Sequence, residues 1–242
     1  MLRTSMRAGS FADFTAALRR RALAHWRLKL WLTGIICVLF WGLYLTLSRH
    51  AWRPIRELPL VWLDRWAGFE PRPWAWIYES VFLLTGTIPW LSNSREELRR
   101  YVIGFALLSG LSFAIFVLFP VASPRPANLH GSPFLVFITH LDGPLNAFPS
   151  LHAGCLVYTL ALARRLFRGH CHPAVSVALL AWSGLILYAT LATKQHYALD
   201  LLAGAALGWL ADWFAWRNSS EADMAVTKTR RKSGIVSQPG CK

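Results

Sequence analysis

Charged side chains are scarce in this chain, and acidic ones scarcer still. Asp, Glu, Lys and Arg make up 16% of its 242 residues, 12 of them acidic against 26 basic. A soluble domain carries about 25%. The deficit is uneven, because charge vanishes from long stretches and returns in short arginine clusters. That pattern excludes an ordinary soluble globular domain and leaves a polytopic membrane chain. The net charge of +14 raises the question of nucleic acid. No basic stripe lies on a recognisable soluble module, so nucleic acid is excluded as a partner; the basic residues flank apolar runs as topology signals and anionic-lipid contacts.

Cysteine is sparse too. Cys37, Cys155, Cys171 and Cys241 are too scattered for a disulfide framework. The stretch H-C-H at 170–172 lacks a second ligand pair at zinc spacing and reads as a solvated loop. No internal repeat or low-complexity segment is present, and no G-x-S-x-G elbow. No small-residue cleavage site follows the first apolar run, which makes that run an expected uncleaved anchor and not a signal peptide.

What the chain has in abundance is apolar surface: 55% apolar residues and 13 tryptophans. Apolar runs fall at about 30–48, 74–92, 101–121, 149–167, 174–193 and 197–216, each near the roughly 20 residues that a crossing helix needs. The expectation is an all-α, polytopic bundle of about six transmembrane helices. Residues 134–141, led by Pro133, are too short to cross and read as interfacial or re-entrant. Residues 1–29 form a basic segment in which Ser10 caps an expected interfacial helix carrying Phe11, Phe14, Leu18 and Trp26. Residues 30–216 form the membrane domain, and 217–242 a basic tail expected to be disordered.

Six spans leave both termini on one side. On the other side lie Arg49, Arg53, Arg56, Arg65, Arg72, Arg125 and Lys194; every other Lys and Arg falls with the termini. The positive-inside rule puts both termini in the cytoplasm. The 122–148 loop and the starts of the fourth and sixth spans then share the extracytoplasmic face.

Three polar clusters converge there. In "FPVASPRPAN" (119–128), Arg125 followed by Pro126 offers a planar, permanently charged fork suited to two phosphate oxygens. In "NAFPSLHAGC" (146–155), Pro149 reads as the first helical residue, with Asn146 or a neighbour as cap. The amides of that turn form an anion site, Ser150 adds a hydroxyl, and His152 lies near enough to give a proton to a leaving oxygen. In "TKQHYALDLLAG" (193–204), His196 and Asp200 share a helix face, so the carboxylate orients the imidazole, and Lys194 adds a phosphate contact. A cation, a helix N-terminus, two imidazoles and a carboxylate are what phosphoryl transfer through a nitrogen nucleophile requires.

Over roughly residues 95–216 these motifs resemble the type-2 phosphatidic acid phosphatase superfamily, and "FPSLHAG" with a downstream "HY…D" is similar to its inositol phosphorylceramide synthase-like branch. The resemblance implies a six-helix fold around one phosphate pocket and no need for a metal or other cofactor. It makes His196 the nucleophile, Asp200 its orienting partner and His152 the general acid, with Arg125 and Ser150 on the phosphate. Leu118 stands where the superfamily has a lysine, and Ala189-Thr190 where it has Ser-Arg; its P-S-G-H here reads P-S-L-H. With two cations missing and Lys194 as a stand-in, the pattern fits a phosphodiester or an alcohol acceptor better than a dianionic monoester.

The function so implied is a metal-independent lipid phosphatase or phosphotransferase acting on a phosphorylated lipid in the bilayer, with water or an alcohol as acceptor. A transporter using an intramembrane His/Asp relay that includes Glu79 is the alternative. A serine hydrolase built on Ser150 is a poorer fit, since His152 follows it by only two residues. The remaining conspicuous residues have plainer readings. Trp74, Trp76, Trp90, Trp213 and Trp216 are interface anchors, Glu79 a helix-pairing group, Asp212 a water-accessible carboxylate, and His130 and His140 flank a substrate entrance.

Overall fold

The structure, a computed structural model, describes residues 11–129, 132–167 and 173–232. It is helical, with only isolated bridges and no strand among the described residues. In order come α1 (Phe11–Leu23), α2 (Trp26–Leu47), α3 (Trp62–Trp66), α4 (Trp74–Thr87) with a 3₁₀ turn at Ile88–Leu91, α5 (Arg95–Leu118), α6 (Pro133–Leu141), α7 (Leu151–Leu166), α8 (Pro173–Ala192) and α9 (Ala198–Lys232).

Local chemistry accounts for several boundaries. Ser94 Oγ accepts the Glu97 N–H at 3.1 Å while Glu97 returns a carboxylate oxygen to the Ser94 N–H at 3.3 Å. This reciprocal box starts α5. Ser132 caps α6 by accepting from Leu135 N–H, with Pro133 in the first turn. Residues 217–232, expected within a disordered tail, instead continue α9. They hold neither Gly nor Pro, so nothing local stops the helix. Ser10, expected to cap α1, and the H-C-H stretch lie outside the described residues, as does His130.

Among the described residues, α2, α5, Ala174–Ala192 of α8 and Ala198–Arg217 of α9 are long and apolar enough to cross a bilayer. The two other expected spans correspond to α4 with its 3₁₀ turn and to α7, which has 16 residues. The chain is thus an all-helical, multi-pass bundle.

Its centre is the crossing of α7 on α9, and three glycines permit the approach. A Cβ on Gly204 would lie 2.0 Å from the Ser150 carbonyl oxygen, one on Gly208 2.3 Å from the Gly154 carbonyl oxygen, and one on Gly154 3.0 Å from that of Gly204. Backbone meets backbone here, as small residues allow between membrane helices. Aromatic rings from α2 and α5 close the core, where Phe40 contacts Phe105 and Phe113. At the end away from the α7 N-terminus, Arg165 forks onto Asp212 and lies over Trp216. Asp212, expected to be water-accessible, is buried in that pair. Of the expected anchors, Trp76 and Trp213 are exposed, while Trp90 donates its indole N–H to Thr33.

Candidate active site

The N-terminal turns of α7 and α9 meet at one end of the bundle. Ser150 N–H donates to the Asp200 carbonyl at 3.1 Å, which ties the two turns together. Ser150 is the cap of α7: its Oγ accepts the Ala153 N–H at 3.3 Å. The helix therefore begins at Leu151, and Pro149 precedes the cap where the sequence suggested a first-turn position. Asn146, the expected cap, instead donates its side-chain amide to Asp142 Oδ1 at 2.7 Å.

This junction brings the two imidazoles together, their planes inclined at 61°. His152 Nδ1 and His196 Nε2 are 3.2 Å apart. On its other nitrogen, His196 Nδ1 is 3.3 Å from Asp200 Oδ2 and 3.2 Å from the Ala147 carbonyl oxygen. Asp200 Oδ2 also accepts the Tyr197 N–H at 2.9 Å. With Nδ1 held against a carboxylate, Nε2 is the nitrogen of His196 that faces His152. All three side chains are buried, Asp200 completely. His152 stacks on Tyr78, with centroids 4.2 Å apart, and packs edge-on against Phe82. Its Nε2 is buried without a hydrogen-bond partner among the described residues.

Arg125 reaches the same region with its fork already occupied. Nη1 donates to the Asp142 carbonyl oxygen at 2.7 Å, and Nη2 lies 3.5 Å from Asp142 Oδ2. Its Nε is buried and has no hydrogen-bond partner among the described residues. Asp142 is itself enclosed by the Tyr44 hydroxyl at 3.1 Å and by Asn146. Burial pushes its carboxyl above the ordinary aspartate range, and the neighbouring Arg125 pulls it partly back. A cavity of about 150 Å³ lies against this group, lined by the polar Tyr44, Glu79, Asp142 and His152 and by the apolar Trp41, Phe134 and Phe137.

Lys194 is placed differently from the other expected phosphate contacts. It sits at φ 55° and donates its ammonium to the Asp64 backbone carbonyl. Burial lowers its affinity for the proton. Asp64 is a residue that sequence reasoning missed. Fully enclosed, it accepts the Val61 N–H at 2.9 Å and, from the far end of the chain, the Ala198 N–H at 2.7 Å. It is therefore a side-chain cap for α9, and it holds the turn that carries His196.

Asp142, Tyr44 and Tyr78 were missed as well. The only available signal was the D-G-P-x-N turn at 142–146, which Ser48 at the end of α2 anchors by accepting the Gly143 N–H and, on its carbonyl, that of Leu145. His140 is exposed and bonds within α6. No group of three or more His, Cys, Asp or Glu able to hold a metal occurs among the described residues.

A family model described as the PAP2 superfamily matches residues 57–214, well over half of the sequence and every residue of this junction. The chain belongs to the PAP2 superfamily. A similar protein is the inositol phosphorylceramide synthase of Candida albicans, 25% identical over 159 residues that cover 56% of this chain and 33% of that protein. The chain thus spans about a third of its relative's length. No solved structure matches. For this PAP2 member the matched range begins at Glu57, so it takes in Asp64 and all of α4, well upstream of the three motifs.

Proposed function

We propose that this PAP2 protein is a lipid phosphotransferase or phosphatase that cleaves a lipid phosphoester through a phosphohistidine on His196. The observation that carries the reading is the 3.2 Å approach of His152 Nδ1 to His196 Nε2, with Asp200 on the far side of the His196 ring. His196 Nε2 attacks phosphorus, the P–O bond to the leaving group breaks, and His152 gives that oxygen its proton. An acceptor hydroxyl then returns a proton to His152 as its oxygen displaces the histidine nitrogen. Asp200 holds the His196 tautomer and stabilises its cation. Arg125 and Ser150 neutralise and orient the phosphoryl oxygens, with Lys194 a third contact once it leaves Asp64.

The basic-residue asymmetry supports six spans with both termini in the cytoplasm and the site on the extracytoplasmic face. The Candida relative's name supports an inositol phosphate headgroup as the group moved and an alcohol as its acceptor. Purified protein in lipid nanodiscs should release or transfer the headgroup of phosphatidylinositol or phosphatidic acid. His196→Ala should abolish this, and an acid-labile phosphoenzyme should form in wild type. Turnover retained in His196→Ala refutes the reading. Lipid or ion flux in proteoliposomes that depends on Asp200, without any headgroup chemistry, replaces the enzyme by a transporter.

A further inference from the structure

Glu79 stands in the apolar helix α4 and takes no part in the reaction just described. From the sequence it reads as a helix-pairing group, yet no hydrogen bond or ion pair engages it among the described residues. The aspartates inside the bundle are each matched. Asp64 accepts the Val61 and Ala198 N–H groups, Asp142 has Tyr44, Asn146 and Arg125, Asp200 has His196 and the Tyr197 N–H, and Asp212 has Arg165. An unmatched carboxylate among apolar helices is costly, and a group kept there at a cost points to a ligand.

Its place narrows what that ligand is. Glu79 lines the chamber that His152 and Asp142 also line. On α4 it falls between Tyr78, whose ring stacks on His152 with centroids 4.2 Å apart, and Phe82, whose ring meets His152 edge-on at 5.1 Å. The chamber carries a second unmet polar group. His152 is 3% exposed, and its Nε2 has no hydrogen-bond partner among the described residues. Two unmet polar groups on one cavity, next to the His152–His196 pair, mark positions that a bound molecule fills.

Charge then selects the chemistry. A phosphate oxygen is repelled at Glu79 by like charge. A cation is disfavoured as well, because Arg125 already places a permanent positive charge against Asp142 beside the same chamber. A hydroxyl meets neither objection: it donates to the carboxylate, while its carbon rests on the rings of Trp41, Phe82 and Phe134. At about 150 Å³ the chamber holds one small ring or a short polyol, since a cavity of about that size accepts benzene.

We infer that Glu79 is the headgroup-selecting residue of this site, accepting hydroxyl hydrogens from the alcohol that phosphate joins to the lipid. The inference rests on the lipid phosphoester reading above and deepens it, since it names the side chain that tells a polyhydroxylated headgroup from a plain alkyl one.

The test compares two phosphodiesters of equal charge in nanodiscs, phosphatidylinositol and phosphatidylethanol, by release of diacylglycerol. Glu79→Ala should lower kcat/KM for phosphatidylinositol by about ten- to a hundredfold and leave phosphatidylethanol within about twofold. Glu79→Gln, whose amide oxygen still accepts, should fall between wild type and Glu79→Ala. Leu83→Ala, on the exposed side of α4, should change neither lipid. Thermal unfolding supplies a readout that needs no substrate: with no partner to lose, Glu79→Ala should melt at the wild-type temperature or above it. Equal losses on both lipids, no loss on either, or a lowered melting temperature overturns the assignment while leaving the phosphoester reading intact. A loss greatest on phosphatidylethanolamine makes the ligand an ammonium and overturns the hydroxyl. A wild type that releases diacylglycerol from none of the three refutes the phosphoester reading itself, and Glu79 then has no headgroup to select.

Discussion

Gly204→Ala is the smallest change that tests whether the α7–α9 crossing sets the catalytic geometry. The added methyl would lie 2.0 Å from the Ser150 carbonyl oxygen. An ordinary contact begins at 3.4 Å, so the two helices must part by about 1.4 Å at that point, and the neighbour that must give is backbone. Ser150 is two residues from His152, and Gly204 is one turn from Asp200. The displacement therefore falls on the 3.2 Å contact between His152 and His196. Overpacking of this kind costs about 1–3 kcal/mol of stability, and a misplacement of about 1 Å costs about a hundredfold in rate. The assay is lipid phosphoester turnover per folded protein, with thermal unfolding in the same detergent. Gly110→Ala and Gly184→Ala, whose new methyls meet nothing within 4 Å, should be neutral or mildly stabilising. If Gly204→Ala turns over at the wild-type rate, the crossing does not set the geometry, and the reasoning fails.

Asp64→Ala leaves the Ala198 and Val61 N–H groups without their carboxylate acceptor; we expect a loss of about 1–3 kcal/mol and a larger fall in kcat than in 1/KM. Asp64→Asn, which keeps an acceptor, should recover most of both, and equal defects in the two variants would refute a positioning role. For Asp142 the test is pH. Burial raises its carboxyl despite Arg125, Asn146, His196 and Tyr44, so the folded chain binds that proton more readily than the unfolded one. Stability then falls as pH rises from the ordinary aspartate value of about 4 through the raised value. Asp142→Asn should lack this decline in melts between about pH 4 and about pH 8, and parallel curves for wild type and variant would contradict it.

The parts that were legible in the sequence share one property: they are chemically expensive where they stand. His152, His196 and Asp200 lie at the edge of apolar runs, where an idle imidazole or carboxylate is costly, and that cost drew attention to them before any coordinate did. Arg125 was legible through its proline. What eluded the sequence is direction and long-range pairing. Lys194 has the right charge and spacing, yet its left-handed backbone turns the ammonium to Asp64. Asp64 reaches Ala198 across 134 positions, and Tyr44 reaches Asp142 across 98. No periodicity encodes such contacts. Pro149 misled because proline favours a first helical turn, whereas Ser150 holds the stronger capping group. The G-x-x-x-G at 204–208 was readable as a close helix contact and passed unnoticed between more conspicuous residues.

The charges around the proposed phosphate position bear on which ester fits. Arg125 spends its Nη groups on Asp142, and Lys194 spends its ammonium on the Asp64 backbone carbonyl, so each candidate cation is hydrogen-bonded before substrate arrives and Arg125 has a counter-charge as well. A dianionic monoester entering beside Asp142 and Glu79 would meet two carboxylates and a largely neutralised arginine. A phosphodiester brings one negative charge, and a single guanidinium suffices to balance it. A phosphodiester also carries carbon on both sides of phosphorus, which matches a chamber lined by the polar Tyr44, Glu79 and Asp142 together with the apolar Trp41, Phe134 and Phe137. Hydroxyls of a headgroup can donate to the carboxylates that repel a second phosphate charge. Asp142 beside Arg125 thus lowers the positive charge that a dianionic monoester needs more than a diester does.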